Sequence, residues 1–287
     1  MGPLRVSVIV CAFNRPARLR RALLSVWDQT LQPAETIVVD DGSTPPLALA
    51  DDRVRVIRHP RNLGPAVARN SAMAAAKSPF LAFLDSDDLW RPDKLERQAA
   101  VLTEAGDDVI GIFTAFCRHG AGMRGGVVRT PAVRDWRRFF LMGLRSGPGS
   151  TLMIRRAAYE AVGGFDGALR RYEDWDWLLR ASRRFRFAVI DEVLADVHQS
   201  RRPLAEPCRA ALRIIEARHL PEIGRPSERR LFKAALALER AAVARWEGRS
   251  LDAFVQGLRA LAAPELVRRE FGLTVGLGEP SRHAKSA

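Results

Sequence analysis

The sequence predicts an α/β protein: a mostly parallel sheet flanked by helices, followed by a helical C-terminal extension. Three observations carry this reading. Short apolar, β-branched runs alternate with segments of helical period from Arg5 to Leu84. Polar clusters follow these runs at residues 12–15, 40–43 and 85–88, where open parallel sheets place their ligands, outside the carboxyl ends of strands. Beyond residue 204 the pattern turns to basic amphipathic helix.

Residues 5–11, RVSVIVC, predict the first strand. Asn14 and Pro16 signal a helix start, Asn as the cap and Pro in the first turn. Leu19, Ala22, Leu23 and Val26 carry that helix to about Gln29. Strands are expected at 35–39 and 54–58, an Ala-rich helix at 64–77 and a buried strand at 80–84. A helix at 95–102 and a strand at 109–116 follow. Gly120, Gly122 and Gly125 match G-x-G-x-x-G in form, but Thr130-Pro131 comes next instead of a helix, so a glycine-rich hairpin is expected. Residues 144–150, LRSGPGS, predict a flexible loop. A short strand at 151–155 and a short helix at 157–162, stopped by Gly163-Gly164, come after it. The helix at 172–183 is acidic at its start and basic at its end, as the helix dipole favours. Closing strands are expected at 187–190 and 193–197, a linker at 199–207, and helices at 227–246 and from Ser250, the latter interrupted at Pro264. Residues 278–287 read as a frayed end.

The 287 residues carry a net charge of +13. From Arg201 onward 17 Lys and Arg face 10 Asp and Glu, a net +7. This balance suits an anionic substrate, a membrane surface or nucleic acid without choosing among them. Cys11, Cys117 and Cys208 are odd in number and widely spaced, which fits neither a disulfide framework nor a zinc motif. No apolar run reaches the ~18 residues of a membrane span, so a soluble, cytoplasmic protein is expected. The basic amphipathic helix at 227–246 is either a cover for the core or a peripheral contact with the anionic inner face of the plasma membrane.

The chemistry centres on residues 79–90, PFLAFLDSDDLW. Three carboxylates in four residues at the end of a buried strand repel one another and need a cation. Hard oxygen ligands favour Mg²⁺ or Mn²⁺ shared with a diphosphate. The residues alone leave a second reading open, a polar turn before a helix.

VSVIVCAFNRP, ETIVVDDGS, RNLGPAVARNSA, FLAFLDSDD, GGFD and YEDWDWLLR occur in that order. Together they resemble the inverting nucleotide-sugar glycosyltransferases of family 2, with the GT-A fold, over about residues 6–198. The resemblance implies a Rossmann-like sheet in a catalytic domain at 1–204, with a nucleotide-sugar half at about 1–105 and an acceptor half at about 106–204. Residues 205–287 are then a helical extension. It implies a sugar moved from a nucleoside diphosphate, UDP or dTDP, to an acceptor hydroxyl with inversion. The acceptor is a carbohydrate, a lipid-linked glycan or a small metabolite, and surface polysaccharide synthesis is one setting.

Ala12, Phe13, Arg15, Asp41, Asn62, Gly64, Arg69, Asp85 and Asp87 are expected around the nucleotide sugar. Phe13, where the family usually has Tyr, would stack on the base. Cys11-Ala12 stands where the family tends to have Pro-Thr, leaving backbone contacts there. Asp41 would accept the imide N–H, and Arg69 would offset diphosphate charge. Asp87, Asp88 and His198 are expected at a Mn²⁺ or Mg²⁺ ion, with Asp85 in support. Asp174 is the expected general base, with Glu173, Trp175 and Ser150 around it or at the acceptor; Trp175 and Trp177 would form a partly apolar wall. Two rival readings compete with this one. A sugar-nucleotide nucleotidyltransferase would need a glycine-rich basic loop after the first strand, which is absent. A basic nucleic-acid-binding protein has scattered arginines but no recognised motif, so no nucleic-acid partner is expected.

Overall fold

The computed structural model describes residues 4–49, 51–120, 126–128, 133–143, 149–199, 204–263 and 266. In chain order the elements are β1 (Val6–Ala12), α1 (Pro16–Trp27), β2 (Glu35–Asp40), β3 (Val54–Arg58), α2 (Pro65–Ala75), β4 (Phe80–Asp85), β5 (Leu89–Trp90) and α3 (Lys94–Glu104). They continue with β6 (Val109–Gly120), β7 (Gly126–Val128), α4 (Trp136–Leu141), β8 (Met153–Arg155), α5 (Arg156–Val162), α6 (Glu173–Ala181), β9 (Arg186–Gln199), α7 (Ala205–His219), α8 (Pro226–Trp246) and α9 (Ser250–Ala260).

The strands form one sheet in the order β3-β2-β1-β4-β8-β6-β9-β5, with β7 on β6. The long pairings, β3·β2, β2·β1, β1·β4 and β6·β9, are parallel. The short ones at β8, β5 and β7 are antiparallel. Alternate side chains on each strand serve opposite faces. Ile9, Leu81 and Phe83 join a core covered by α2, α6, α7 and α8. Val8, Val10, Ala82 and Leu84 join another, covered by α1 and α3.

Several expectations need correction. Asn14 does not cap α1, which has no side-chain cap. Its φ of 53° puts it in the left-handed region. There its N–H donates to Ser43 Oγ and its Oδ1 accepts from Thr44 N–H, each at 2.9 Å, tying the β1 loop to the β2 loop. The two closing strands are one strand, β9, whose register against β6 skips between Ile190 and Val193. Asp191-Glu192 interrupts the apolar pattern at this irregularity, as an extra residue in a β-bulge does.

The expected linker contains the start of α7, because Pro207 falls in the helix's first turn, where no internal N–H is lost. Cys208, Ala211, Leu212, Ile215 and His219 then form its buried stripe. Sequence reading also missed α4, which Asp135 caps by accepting from Arg138 N–H at 2.9 Å. Its Trp136 and Phe140 pack with Phe113 and Phe187, and Phe139, on the same helix, meets Trp136 and Phe140 edge-on.

Helix α8 buries Leu231, Phe232, Ala235 and Leu236 in the core, and Phe232 meets Trp175 edge-on at 5.9 Å. It is a cover for the core. The hairpin β6–β7 replaces any dinucleotide loop, although Gly122 and Gly125 lie outside the described residues. Much of the expected loop at 144–150 and all of 278–287 also lie outside them. Among the described residues no helix is long and apolar enough to cross a membrane.

Candidate active site

Strand β4 delivers Asp85 at its last position, and the chain turns through Ser86, Asp87 and Asp88 into β5. Because β5 pairs antiparallel with β9 at Asp196 and Ala195, the turn lies beside the end of β9. His198 N–H therefore donates to Asp88 Oδ1 at 2.7 Å. Ser150 holds the other side: its Oγ accepts from Asp85 N–H at 3.0 Å and donates to Asp88 Oδ2 at 2.5 Å. Ser150 is thus a buried support of the acidic turn. Its carbonyl is spent on the Trp90 indole N–H at 2.7 Å. Burial, then repulsion from Asp85, pushes Asp88 up to about 8.

Asp87 faces the first helix, where Arg15 donates to its Oδ2 at 2.8 Å and Arg18 at 3.3 Å. Phe13 is exposed at the end of β1, the placement a stacking platform needs. Ala12 is buried and its carbonyl accepts from Asp41 N–H at 2.9 Å. The Asp41 carboxylate is also buried. It accepts from Leu63 N–H and Gly64 N–H, each at 2.9 Å, and meets His59 Nδ1 at 2.7 Å. His59 Nε2 lies 3.0 Å from Ser71 Oγ. Three of about four lone-pair sites on Asp41 are occupied, so the residue shapes the 59–64 loop and keeps one acceptor site. Asn62 Oδ1 accepts from Arg170 at 3.2 Å. Gly64 has a φ of 93°, and a Cβ there would meet the Arg170 side chain at 2.7 Å, so only glycine fits.

Arg69 does not stand open to a diphosphate. It is buried, donating to Asp85 Oδ1 at 2.9 Å and to Glu173 Oε1, so its charge is matched by two carboxylates. The three carboxylates that start α6 divide. Glu173 takes Arg69. Asp176 takes Arg180, Arg218 and His219, and despite its burial those partners hold it down to about 2, binding α6 to α7. Among the described residues Asp174 has no ion pair: its Oδ1 accepts from Trp175 N–H at 2.8 Å. Burial, then the neighbouring Glu173, pushes it up to about 7. It lines a small cavity with Phe83, Gly149, Phe165 and Trp177. Trp175 is not part of a site wall. Its side chain is fully buried and its indole N–H donates to Phe140 O at 2.8 Å, so it packs α6 against α4 and α8.

The residues around the acidic turn fit a hard divalent cation. Asp85, Asp87 and Asp88 supply carboxylate oxygens. His198 Nδ1 is buried with no hydrogen-bond partner among the described residues. Burial and the neighbouring His119 hold His198 below the ordinary imidazole range, which keeps a lone pair for a metal. His59, Arg18 and Arg170, which no motif in the sequence marks, stand among these residues, and Gly149 comes from the loop expected at 144–150. Gly149 is placed by sterics: a Cβ there would meet Asp85 Oδ2 at 2.7 Å. None of these four sits in a motif, and their partners lie far along the chain.

The chain is 34% identical over 200 residues to the succinoglycan biosynthesis protein ExoU of Rhizobium meliloti (strain 1021), covering 63% of this chain and 57% of that protein. It is 41% identical over 109 residues to the succinoglycan biosynthesis protein ExoO of the same organism, covering 36% of this chain and 31% of that one. The chain thus spans less than two thirds of these relatives. Among solved structures, S. aureus TarS superposes with a TM-score of 0.58 at 16% identity, covering 98% of this chain and 56% of TarS. Residues 1–349 of TarS in complex with UDP-GlcNAc superpose at 0.53 and 16% identity, covering 93% and 92%. These likenesses show a shared fold, the GT-A type. The family model described as glycosyl transferase family 2 matches residues 7–163, more than half of the sequence, and the chain belongs to that family.

Proposed function

We propose that this protein transfers a sugar from a nucleoside diphosphate, UDP or dTDP, to an acceptor hydroxyl with inversion. The observation that carries the reading is Arg69, whose guanidinium joins Asp85 of the acidic turn to Glu173. It anchors the first turn of α6, and Asp174, the next residue, lines a small cavity with Arg69 and Gly149. Asp174 is raised to about 7, so it accepts a proton near neutral pH, as a general base requires. The acceptor oxygen gives its proton to Asp174 as it attacks the anomeric carbon in one in-line step.

Asp87, Asp88 and His198 would hold Mn²⁺ or Mg²⁺, with Asp85 oriented by Arg69 and Ser150. When bound, such an ion neutralises charge on the departing nucleoside diphosphate. Phe13 would stack on the base, and the remaining acceptor site of Asp41 would take an imide N–H. The UDP-GlcNAc complex of TarS supports a UDP-linked donor, and the two Rhizobium relatives support a role in polysaccharide synthesis.

The catalytic unit would be 1–204, closed over by the helices that follow. A peripheral membrane contact would use α9 and not α8. Leu251, Phe254 and Leu258 on it and Leu261 at its C-terminal cap are exposed, with Arg249 at its N-terminal cap and Arg259 in its last turn. The experiment that tests the function is a thermal-shift and product assay with nucleoside diphosphates and their sugars, with and without Mn²⁺. Stabilisation by UDP plus Mn²⁺, and metal-dependent release of UDP, are expected. A protein indifferent to every nucleotide would overturn the reading.

A further inference from the structure

Strands β6 and β9 run parallel with Cys117 opposite Asp196 and His119 opposite His198. Residues two apart on a strand share a face. Four metal-ligand side chains therefore form a two-by-two array on neighbouring strands. One ligand atom each of Cys117, His119 and Asp196 lies within 4.8 Å of the other two. The His119 and His198 rings stack at 4.9 Å.

We propose that Cys117, His119 and Asp196 form a second metal site, for a thiophilic cation of the zinc class, beside the acidic turn and distinct from it. The donor set is a sulfur, an imidazole nitrogen and a carboxylate oxygen. That mixture suits Zn²⁺ or Co²⁺ and is foreign to Mg²⁺, which takes oxygen. Three protein ligands leave a fourth, exchangeable position for water. The Asp196 carboxylate is preassembled: Arg91 approaches it at 3.1 Å and 3.2 Å, and His119 Nε2 lies 2.8 Å from Oδ1. A cation entering between His119 and Asp196 replaces that hydrogen bond with two metal bonds, and half-exposed Arg91 swings to solvent. The Cys117 thiol proton leaves to solvent as sulfur binds. Cys117, His119 and Asp196 are all partly exposed, so an ion can reach them. The other two cysteines are unsuited. Burial pushes the Cys11 thiol up to about 12 and raises Cys208 as well, and among the described residues neither groups with His or carboxylate ligand atoms as Cys117 does.

The test is a titration of the full chain, without nucleotide, first with Co²⁺ and then with Zn²⁺. A thiolate-to-cobalt charge-transfer band at one equivalent, bleached by Zn²⁺, is expected. Cys117→Ser should abolish the band, while Cys208→Ser and Asp88→Ala should keep it. His119→Ala and Asp196→Asn should weaken Zn²⁺ by at least the roughly 10–100-fold that loss of an outer partner costs. Circular dichroism of each variant confirms that it folds. No charge-transfer band, or a band that survives in folded Cys117→Ser, overturns the site. Cobalt d–d absorption without a charge-transfer band, lost in Asp88→Ala but kept in His119→Ala and Asp196→Asn, overturns it too, by placing the ion at the acidic turn. Because no nucleotide is present, the result is independent of the transferase reading.

Discussion

Arg69 and Glu173, 104 residues apart in sequence, form a buried ion pair whose other arm reaches Asp85. One guanidinium from α2 thereby spaces the acidic turn at the end of β4 from the first turn of α6. Replacing Arg69 by Met leaves buried Glu173 without its cation. Breaking a buried pair from one side costs about 3–5 kcal/mol, and urea unfolding should show a loss of that size. Arg69→Lys keeps the charge but not the two-way fork, so it should fall between.

Asp174→Asn should leave UDP affinity within error and lower transfer by about 10²–10⁴-fold, the range for a general base. Isothermal titration and single-turnover transfer separate these two effects. Equal transfer rates for variant and wild type would remove Asp174 from the mechanism.

The pH dependence follows from the same carboxyl. Its folded value is about 7, and the transferring form is the anion. The rate should therefore rise about tenfold per pH unit below neutrality and level off above it. Stability runs the other way. A carboxyl raised above its unfolded value of about 3.9 contributes stability that is whole below about pH 4 and lost as pH climbs through about 7. Asp174→Asn should flatten both profiles, read by transfer assays and by melting from pH 5 to 8.

Ser150→Ala removes one hydrogen bond from Asp88 and one acceptor from Asp85 N–H. Leaving such buried groups unpaired costs about 1–3 kcal/mol each. The turn should loosen, so the Mn²⁺ concentration for half-maximal transfer should rise several-fold while saturating UDP-sugar restores much of the rate. An unchanged metal requirement would show that Ser150 does not position Asp88.

EDTA should abolish transfer, and Mn²⁺ should restore it. Asp87→Ala and Asp88→Ala should each stay inactive at any metal concentration while keeping a cooperative melt. Full activity in EDTA would refute the metal assignment.

The sequence by itself determined the order of strands and helices through β4, because each is a short run whose burial pattern repeats every two or about 3.6 residues. Nothing distant is needed to recognise Val8 and Val10, or Leu19 and Leu23, as core. It also marked the ends of β1, β2 and β4, at 12–15, 40–43 and 85–88, as polar where the strands are not, and folding sets these ends side by side. The later elements were less legible for local reasons. Pro207 inside the first turn of α7 looked like a break, and Asp191-Glu192 split β9 in appearance. Only the tertiary structure decided how identical residue types were used. Glu173, Asp174 and Asp176 lie within four residues, yet one pairs with Arg69, one stays unpaired by cations, and one binds α7. Trp175, read from sequence as a site wall, is core because α8 closes over it. Charge and hydropathy are properties of a residue, but partners come from elements brought together by folding, so a carboxylate's role is fixed only once its neighbours are.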